Sequence, residues 1–402
     1  MKTNESIFVL GRDSEVSLSE LESLYSKHQA INLLSPSIAQ IDINSDEVDF
    51  SRIGGSIKLA KLISVNKSIE NYEQLLHFTN LVLEKLTINN NSKINLGISI
   101  YQSNLSLKNL NKFKMDLKNH LKSVGKSIRL IPNNSLSLSS AQTLHNNLCR
   151  KNNVELVIVY SNDSYYISQV VAVQDIENYF KRDRLRPKRD TRVGMLPPKL
   201  AQVMINLASG HLITAKGSEP PLLLDPFCGT GVVLQEALLM GYQIMGTDLS
   251  ERMVSYTKEN TAWVSKEYRI DHNKLAVYFD VGDATSYKWP SKPNLVVSEV
   301  YLGPPLTQKP SLNMIHEYRN DCQTIFKKFL SNIAEQLASG TILCLAIPTW
   351  QFKDIFIGLT IVDQLNDLGY NQIKFESTNY RPLIYHRQGQ FVARQLLVLK
   401  KI

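Results

Sequence analysis

The chain is poor in cysteine, with four in 402 residues: Cys149, Cys228, Cys322 and Cys344, spaced 79, 94 and 22 apart. That spacing contains no CxxC pair, which argues against a disulfide framework or a metal finger and for a reduced, cytoplasmic protein. No run of eighteen apolar residues occurs, and the first ten residues carry Glu5 and no long apolar stretch, so neither membrane spanning nor secretion is expected. The eight histidines join the cysteines in no ligand pattern, and no internal repeat is evident. His316 and His386 are assigned no role, because a lone histidine is more often structural.

What is present fits a globular protein. Apolar residues make up 43% and charged residues 20%, and the length suggests two or three compact units. Lys plus Arg (45) exceed Asp plus Glu (37), giving a net charge of +8 that suits a polyanionic partner. Much of this excess sits in one place: residues 181–192, KRDRLRPKRDTR, hold seven basic and two acidic side chains. So charged a segment, interrupted by Pro187, reads as an exposed linker. Asparagine also changes across it, with 22 in residues 1–180 and 10 in residues 181–402.

Before the linker, residues 6–10, 38–43, 94–101 and 127–131 read as strands, and 107–124 as a helix. Ser17 and Glu20 have the spacing of a capping box opening a helix. A helix from Ser139 to about residue 149 leads into strands at 154–160 and 165–173, joined by an Asn162-Asp163 turn. After the linker, strands at 222–224, 243–246, 275–279, 295–297 and 341–347 alternate with helices at 200–208, 232–240, 251–264 and 316–337. This alternation implies a doubly wound, mostly parallel sheet. Two apolar segments, 380–385 and 390–399, suggest a C-terminal antiparallel hairpin at the sheet edge.

The chemistry is concentrated at the predicted strand ends. Residues 225–231, DPFCGTG, fall where the first strand of that sheet meets a helix, and Gly229 and Gly231 let backbone approach a ligand closely. A dinucleotide loop would carry a third glycine and aim amides at phosphate; here Asp225 guards the entrance beside Phe227, which suits an ammonium group better. Cys228 reads as a small packing residue. Asp248, 23 residues after Asp225, ends the next strand, where a carboxylate can accept from both ribose hydroxyls. Asp283 follows the third strand and is expected to accept from an adenine amine. Each could merely cap a helix, but together they outline an amino acid joined to a nucleoside: S-adenosylmethionine.

These motifs resemble the THUMP-domain tRNA guanine-N2 methyltransferases that modify guanosine 10. The resemblance is carried by residues 225–231, by RPKRD at 186–190 and GMLPPKLA at 194–201, by SSAQ at 139–142 and VQDIENYFKRD at 173–183, and by FVLGR at 8–12 with LSELE at 18–22. It implies an N-terminal α/β domain over 1–60, a THUMP-like RNA-binding domain over 61–180, a basic linker over 181–195 and a Rossmann-like class I methyltransferase domain over 196–402. It also implies that residues 197–200 shape the methionine end of the cofactor pocket. The family places Asp-Pro-Pro-Tyr, or Asn in the first position, after the fourth strand; this chain has SEVYLGPP at 298–305. Glu299 stands for the acid with one extra methylene, and Val300 replaces the first proline. Tyr301 is placed to stack on a base.

For RNA, Lys114, Lys118 and Lys122 fall at i, i+4 and i+8 of the predicted helix, with Lys108 and Lys112 beside them. Arg182, Arg184, Arg186, Lys188, Arg189 and Arg192 of the linker are the stronger phosphate candidates. The sequence is therefore read as an S-adenosylmethionine-dependent tRNA methyltransferase acting on the exocyclic N2 of a guanosine, with an activating subunit left open. The alternative is a catalytically inactive tRNA-binding protein or partner subunit that retains the fold. A DNA amino-methyltransferase is disfavoured by the RNA-like first half.

Overall fold

A computed structural model describes residues 5–25, 30–90, 92–102, 106–190, 195–212, 219–271 and 276–402. Arg192, Gly194 and Leu275, used in the sequence reading, lie outside the described residues. The chain divides into two compact units: Met1–Ser14 with His28–Glu177, and Glu15–Lys27 with Asn178–Ile402.

The first unit is built on strands β1 (Ser6–Leu10), β2 (Ile31–Ser35), β3 (Ile38–Ile41), β4 (Ser56–Asn66), β5 (Ile94–Tyr101), β6 (Ile128–Leu130), β7 (Val154–Ser161) and β8 (Ser164–Val173). Helix α1 (Ser14–Tyr25) follows β1 but is counted with the second unit from Glu15 onward. Helices α2 (Tyr72–Thr87), α3 (Leu107–Ser123) and α4 (Ser140–His145) complete the first unit, and α5 (Ile176–Phe180) leads out of it. The eight strands form one sheet in the order β2-β3-β1-β4-β8-β7-β5-β6. Residues on both sides of position 60 thus share a sheet, because β4 pairs with β1 on one edge and with β8 on the other.

Amphipathic spacing makes α2 and α3 and sets their packing. Leu75, Val82 and Leu83 of α2 and Leu110, Phe113, Leu117 and Leu121 of α3 cluster with Ile94, Leu96 and Ile98 of β5. Asn71 and Ser106 cap the two helices by accepting from the amides of Gln74 and Asn109. Ser139 and Gln142 form a reciprocal capping box at the start of α4. Beneath it, fully buried Lys58 and Glu155 are paired. Lys58 Nζ also donates to Leu138 O at 2.8 Å, while Ser99 and Thr143 hydroxyls donate to Glu155 at 2.7 and 2.6 Å. The buried charges are therefore hydrogen-bonded as well as paired.

The second unit adds α6 (Pro198–Ser209), β9 (Leu222–Asp225), α7 (Val232–Leu239), β10 (Gln243–Asp248), α8 (Glu251–Glu267), β11 (Val277–Val281), β12 (Leu295–Glu299) and α9 (Leu312–Ala334). It ends with β13 (Ile342–Phe352), β14 (Ile355–Ile357), β15 (Tyr370–Ile373), β16 (Leu383–Tyr385) and β17 (Val392–Lys401). The sheet order is β11-β10-β9-β12-β13-β17-β15, with β14 on β13 and β16 on β17. Strands β9 to β13 pair in parallel and β17 runs antiparallel to both β13 and β15. This is the doubly wound, mostly parallel sheet expected. The chain turns from one side of the sheet to the other between β9 and β12, which puts a ligand crevice at their C-terminal ends. Helix α1 packs here: Val16 joins the core of α6 and α7, Ser23 Oγ donates to Leu207 O at 3.0 Å, and Glu20 accepts from Asn206 at 2.7 Å. No described helix is long and apolar enough to cross a membrane.

Several expectations are corrected. Helix α1 begins at Ser14, so Ser17 and Glu20 lie inside it, buried, and do not cap its start. The C-terminal hairpin exists between β16 and β17, but β17 is an interior strand, and β15, unseen in the sequence, takes the edge. Strand β4 and helix α2 were also missed. In β4, Lys58 and Lys61 interrupt the apolar alternation, and the reason Lys58 is tolerated, Glu155, lies 97 positions away.

Candidate functional site

Asp225 closes β9 in register with Gly246 of β10. It is only 2% exposed, and both its hydrogen bonds arrive at Oδ1, from Phe227 N at 3.2 Å and Ser298 Oγ at 2.5 Å. Among the described residues Oδ2 accepts none. Burial pushes this carboxyl up to about 7; the two hydrogen bonds oppose the shift, and the charges of Asp248 and Glu299 add to it. A carboxyl so placed gains its charge most favourably beside a cation.

The loop after Asp225 turns tightly. Cys228 N donates to Thr247 O at 2.9 Å and Gly231 N to Cys228 O at 2.7 Å. Gly229 and Gly231 take φ of +52° and +80°, a region that disfavours side chains, and a Cβ on Gly231 would come within 2.9 Å of Thr257. Gly231 is also the N-cap of α7, where a side chain has no room. Asp248, at the end of β10, accepts from Gly229 N through Oδ2 and from Ser250 N through Oδ1, both at 2.9 Å. It therefore organises the loop, and each oxygen keeps a second lone pair for a ligand. Cys228 is buried, its thiol pushed up by that burial, consistent with packing. Asp283 sits on an exposed turn after β11, accepting from Thr285 N at 2.9 Å and Thr285 Oγ1 at 2.8 Å. Leu249, missed in the sequence, follows Asp248 and is 74% exposed, an apolar surface beside the acid.

On the other side of the crevice, Glu299 ends β12 opposite Ala346 of β13. Its Oε1 accepts from Nε of Arg394, which comes from β17. Arg394 is buried and Glu299 largely so. Val300 is buried, its amide donating to Ala346 O at 3.1 Å, and Tyr301 is 43% exposed. Phe227 packs edge-on to Phe329 with ring centroids 5.1 Å apart. The structure thus gathers Asp225, Phe227, Gly229, Gly231, Asp248, Glu299 and Tyr301 at adjacent strand ends. Ser298 and Arg394 were missed, because the partner of each, Asp225 and Glu299, lies 73 and 95 positions away in the chain.

The basic residues are not one surface. Lys114 is buried, with Nζ donating at 2.6 Å to both Ile131 O and Asn133 Oδ1, and burial lowers it to about 8. It lies on the helix flank shared with Leu110, Leu117 and Leu121, so the expected stripe reduces to half-buried Lys118 and exposed Lys122. Residues 181–190 of the segment read as an exposed linker are folded instead. Residues Lys181–Leu185 form a π-helical turn, Arg182 is buried against Glu236 at 2.6 Å, and Arg186 is buried beside Met195. Lys188 is held by Asn260, which bonds its N and O at 2.9 and 3.0 Å and reaches Thr230 O at 2.9 Å. Lys188 Nζ pairs with Glu259 at 3.3 Å and Arg184 with Asp183 at 3.1 Å, while Arg189 is half-buried. Arg182 and Arg186 therefore serve packing, because their guanidinium groups are withdrawn from solvent.

Comparison with known proteins follows this division. Residues 186–356 match the UPF0020 family, described as an RMKL-like methyltransferase domain. Over 191 residues the chain is 30% identical to the tRNA (guanine(10)-N2)-dimethyltransferase of Methanothermobacter thermautotrophicus, covering 47% of this chain and 49% of that one. Over 139 residues it is 34% identical to the protein of the same name from Methanocaldococcus jannaschii, covering 35% of this chain and 34% of that one. The chain thus spans about half or less of the length of these curated relatives. Among solved structures, TrmN from Thermus thermophilus has a TM-score of 0.54 at 12% identity over 99% of both chains. A possible methylase from Clostridium difficile 630 has a TM-score of 0.52 at 13% identity over 98% of this chain and 97% of that one. At such identities the likeness is one of fold. The glycine loop and its three acids lie within residues 186–356, the segment that matches the UPF0020 methyltransferase-domain model.

Proposed function

We propose that this protein is a cytoplasmic S-adenosylmethionine-dependent tRNA methyltransferase acting on the exocyclic N2 of a guanosine. The observation that carries the proposal is Asp225: a buried carboxyl with one oxygen uncommitted, at the switch point of the sheet, between a left-handed glycine loop and Glu299. These residues fit the cofactor. Asp225 Oδ2 suits an ammonium, Asp248 the ribose hydroxyls, and Leu249 with Asp283 an adenine ring and its amine. The names of the relatives supply the RNA and the guanosine.

S-adenosylmethionine supplies an electrophilic methyl group when bound. The chain's task is to present the acceptor. A purine amine is a weak nucleophile because its lone pair is delocalised into the ring, so its hydrogens must be held and its nitrogen aimed. Glu299 accepts one hydrogen, main-chain carbonyls of the 299–305 loop accept the other, and Tyr301 stacks on the base. Glu299 then takes the proton that N2 gives up. Lys118, Lys122, Arg184 and Arg189 remain for phosphate.

Incubating the protein with labelled cofactor and an unmodified tRNA transcript, then digesting to nucleosides, tests this. N2-methylated guanosine is expected. Binding of both cofactor and tRNA with no methyl incorporated would support the alternative, a catalytically inactive tRNA-binding protein or partner subunit.

A further inference from the structure

We infer that Arg394 is a positioning residue that fixes the amine-accepting carboxylate of Glu299, an inference that rests on the role proposed for Glu299 above. Four observations carry it. First, Arg394 and Glu299 come from strands separated by β13: Glu299 lies opposite Ala346, Ala346 opposite Leu396, and Arg394 one pleat further on, opposite Pro348. The arginine side chain therefore crosses the width of β13 to reach the acid. Strands that are themselves hydrogen-bonded on both sides make this a rigid support.

Second, the bond is directional. Nε donates to Oε1, and among the described residues Oε2 of Glu299 accepts no hydrogen bond, so one oxygen is anchored and the other is left for the amine. Third, the pairing answers the departure in the catalytic loop. A glutamate has one more rotatable bond than an aspartate, and Val300 lacks the ring that would stiffen the next position. Anchoring Oε1 removes the freedom that the longer side chain adds. Fourth, Arg394 is a buried cation in a crevice of acids. Its side chain is 3% exposed, and Glu299 shares the crevice with Asp225 and Asp248, whose charges reinforce one another. The guanidinium offsets that concentration of negative charge where the reacting amine must sit.

The test compares R394M, E299A and the double variant E299A/R394M in full-length protein, with turnover on tRNA, cofactor affinity by calorimetry and the thermal midpoint measured for each. R394M is expected to lower kcat roughly 30-fold, in the range of a lost charge-assisted hydrogen bond, with cofactor affinity changed less than about twofold. In the E299A background the same substitution should cost less than about threefold, because residues acting as one unit are non-additive. Losses that multiply, or an R394M enzyme as fast as or faster than wild type, would overturn the inference. If R394M does not fold, R394K serves: it keeps the charge without the planar N–H, so a drop in kcat with unchanged cofactor affinity supports the positioning role and wild-type turnover refutes it. A wild-type protein that binds cofactor and tRNA yet transfers no methyl would instead sink the reading of Glu299 itself, and the role of Arg394 with it. Transfer at the wild-type rate in E299A would likewise overturn both, whereas a loss in E299A with full activity in R394M overturns only this inference.

Discussion

The hydroxyl of Ser298, on β12, donates to Oδ1 of Asp225, on β9, at 2.5 Å. The contact ties two neighbouring strand ends together and supports the ionised form of a carboxyl that burial holds up at about 7. Removing the hydroxyl in S298A leaves Asp225 harder to ionise. Cofactor affinity at neutral pH should fall by about tenfold, the worth of one hydrogen bond to a charged group, with little change in the thermal midpoint. Calorimetric titration of both proteins checks it.

The raised Asp225 also predicts a pH dependence. Its ordinary value is near 3.9, so its contribution to folding stability is fully present below about 4 and is lost as pH rises through about 7. Ligand binding has the opposite preference, because an ammonium group wants the ionised carboxylate. Affinity for the cofactor should rise between pH 5.5 and 7, level off above, and release a proton on binding near pH 6.5. Titrations in buffers of different ionisation heat would detect the proton, and D225N should flatten the profile. Affinity that is level from pH 5.5 to 8 in wild type would contradict the assignment of Asp225.

Two glycines offer a controlled comparison. Gly231 and Gly241 have nearly equal φ, +80° and +84°, but a Cβ on Gly231 meets Thr257 at 2.9 Å whereas one on Gly241 meets nothing within 4 Å. G241A should cost about 1 kcal/mol of stability through backbone strain alone and leave cofactor affinity intact. G231A should cost more and weaken the cofactor site as well, since the loop must shift. Denaturant unfolding and cofactor titration separate the two effects.

In the first unit, K58M strands Glu155 as a buried charge and should destabilise that unit by about 3 kcal/mol. Replacing both partners with apolar residues should recover a large part of the loss. Urea unfolding followed by a probe in the first unit reads this directly.

Salt dependence of tRNA binding distinguishes the lysines of α3. K122A should reduce the slope of log affinity against log salt by about 1. K114A should leave the slope unchanged and lower stability, since it strips the donor from Ile131 O and Asn133. Equal slope changes in the two variants would mean that Lys114 reaches phosphate after all.

What could be read in advance followed local rules. The strand, glycine turn and helix around Asp225 are encoded within about a dozen neighbouring residues, and the alternation of strands and helices after residue 195 gave the doubly wound sheet. What escaped was set by distant partners. Arg394 meets Glu299 across 95 positions and Lys58 meets Glu155 across 97, distances at which no local pattern links the partners. Lys114 failed for a different reason: its spacing from Lys118 and Lys122 defines a row on α3, but not whether that row faces solvent. The charge of the 181–192 segment suggested exposure, whereas Glu236 and Asn260 gave part of it a buried seat.

Strand β17 follows β13 and β15 in the chain, yet it lies between them in the sheet. During translation, a nascent polypeptide therefore leaves the ribosome with the long edge of β13 unpaired, a template for adhesion to neighbouring chains until residues 392–401 emerge. Those same residues deliver Arg394, so the strand that closes the sheet also completes the crevice around Glu299.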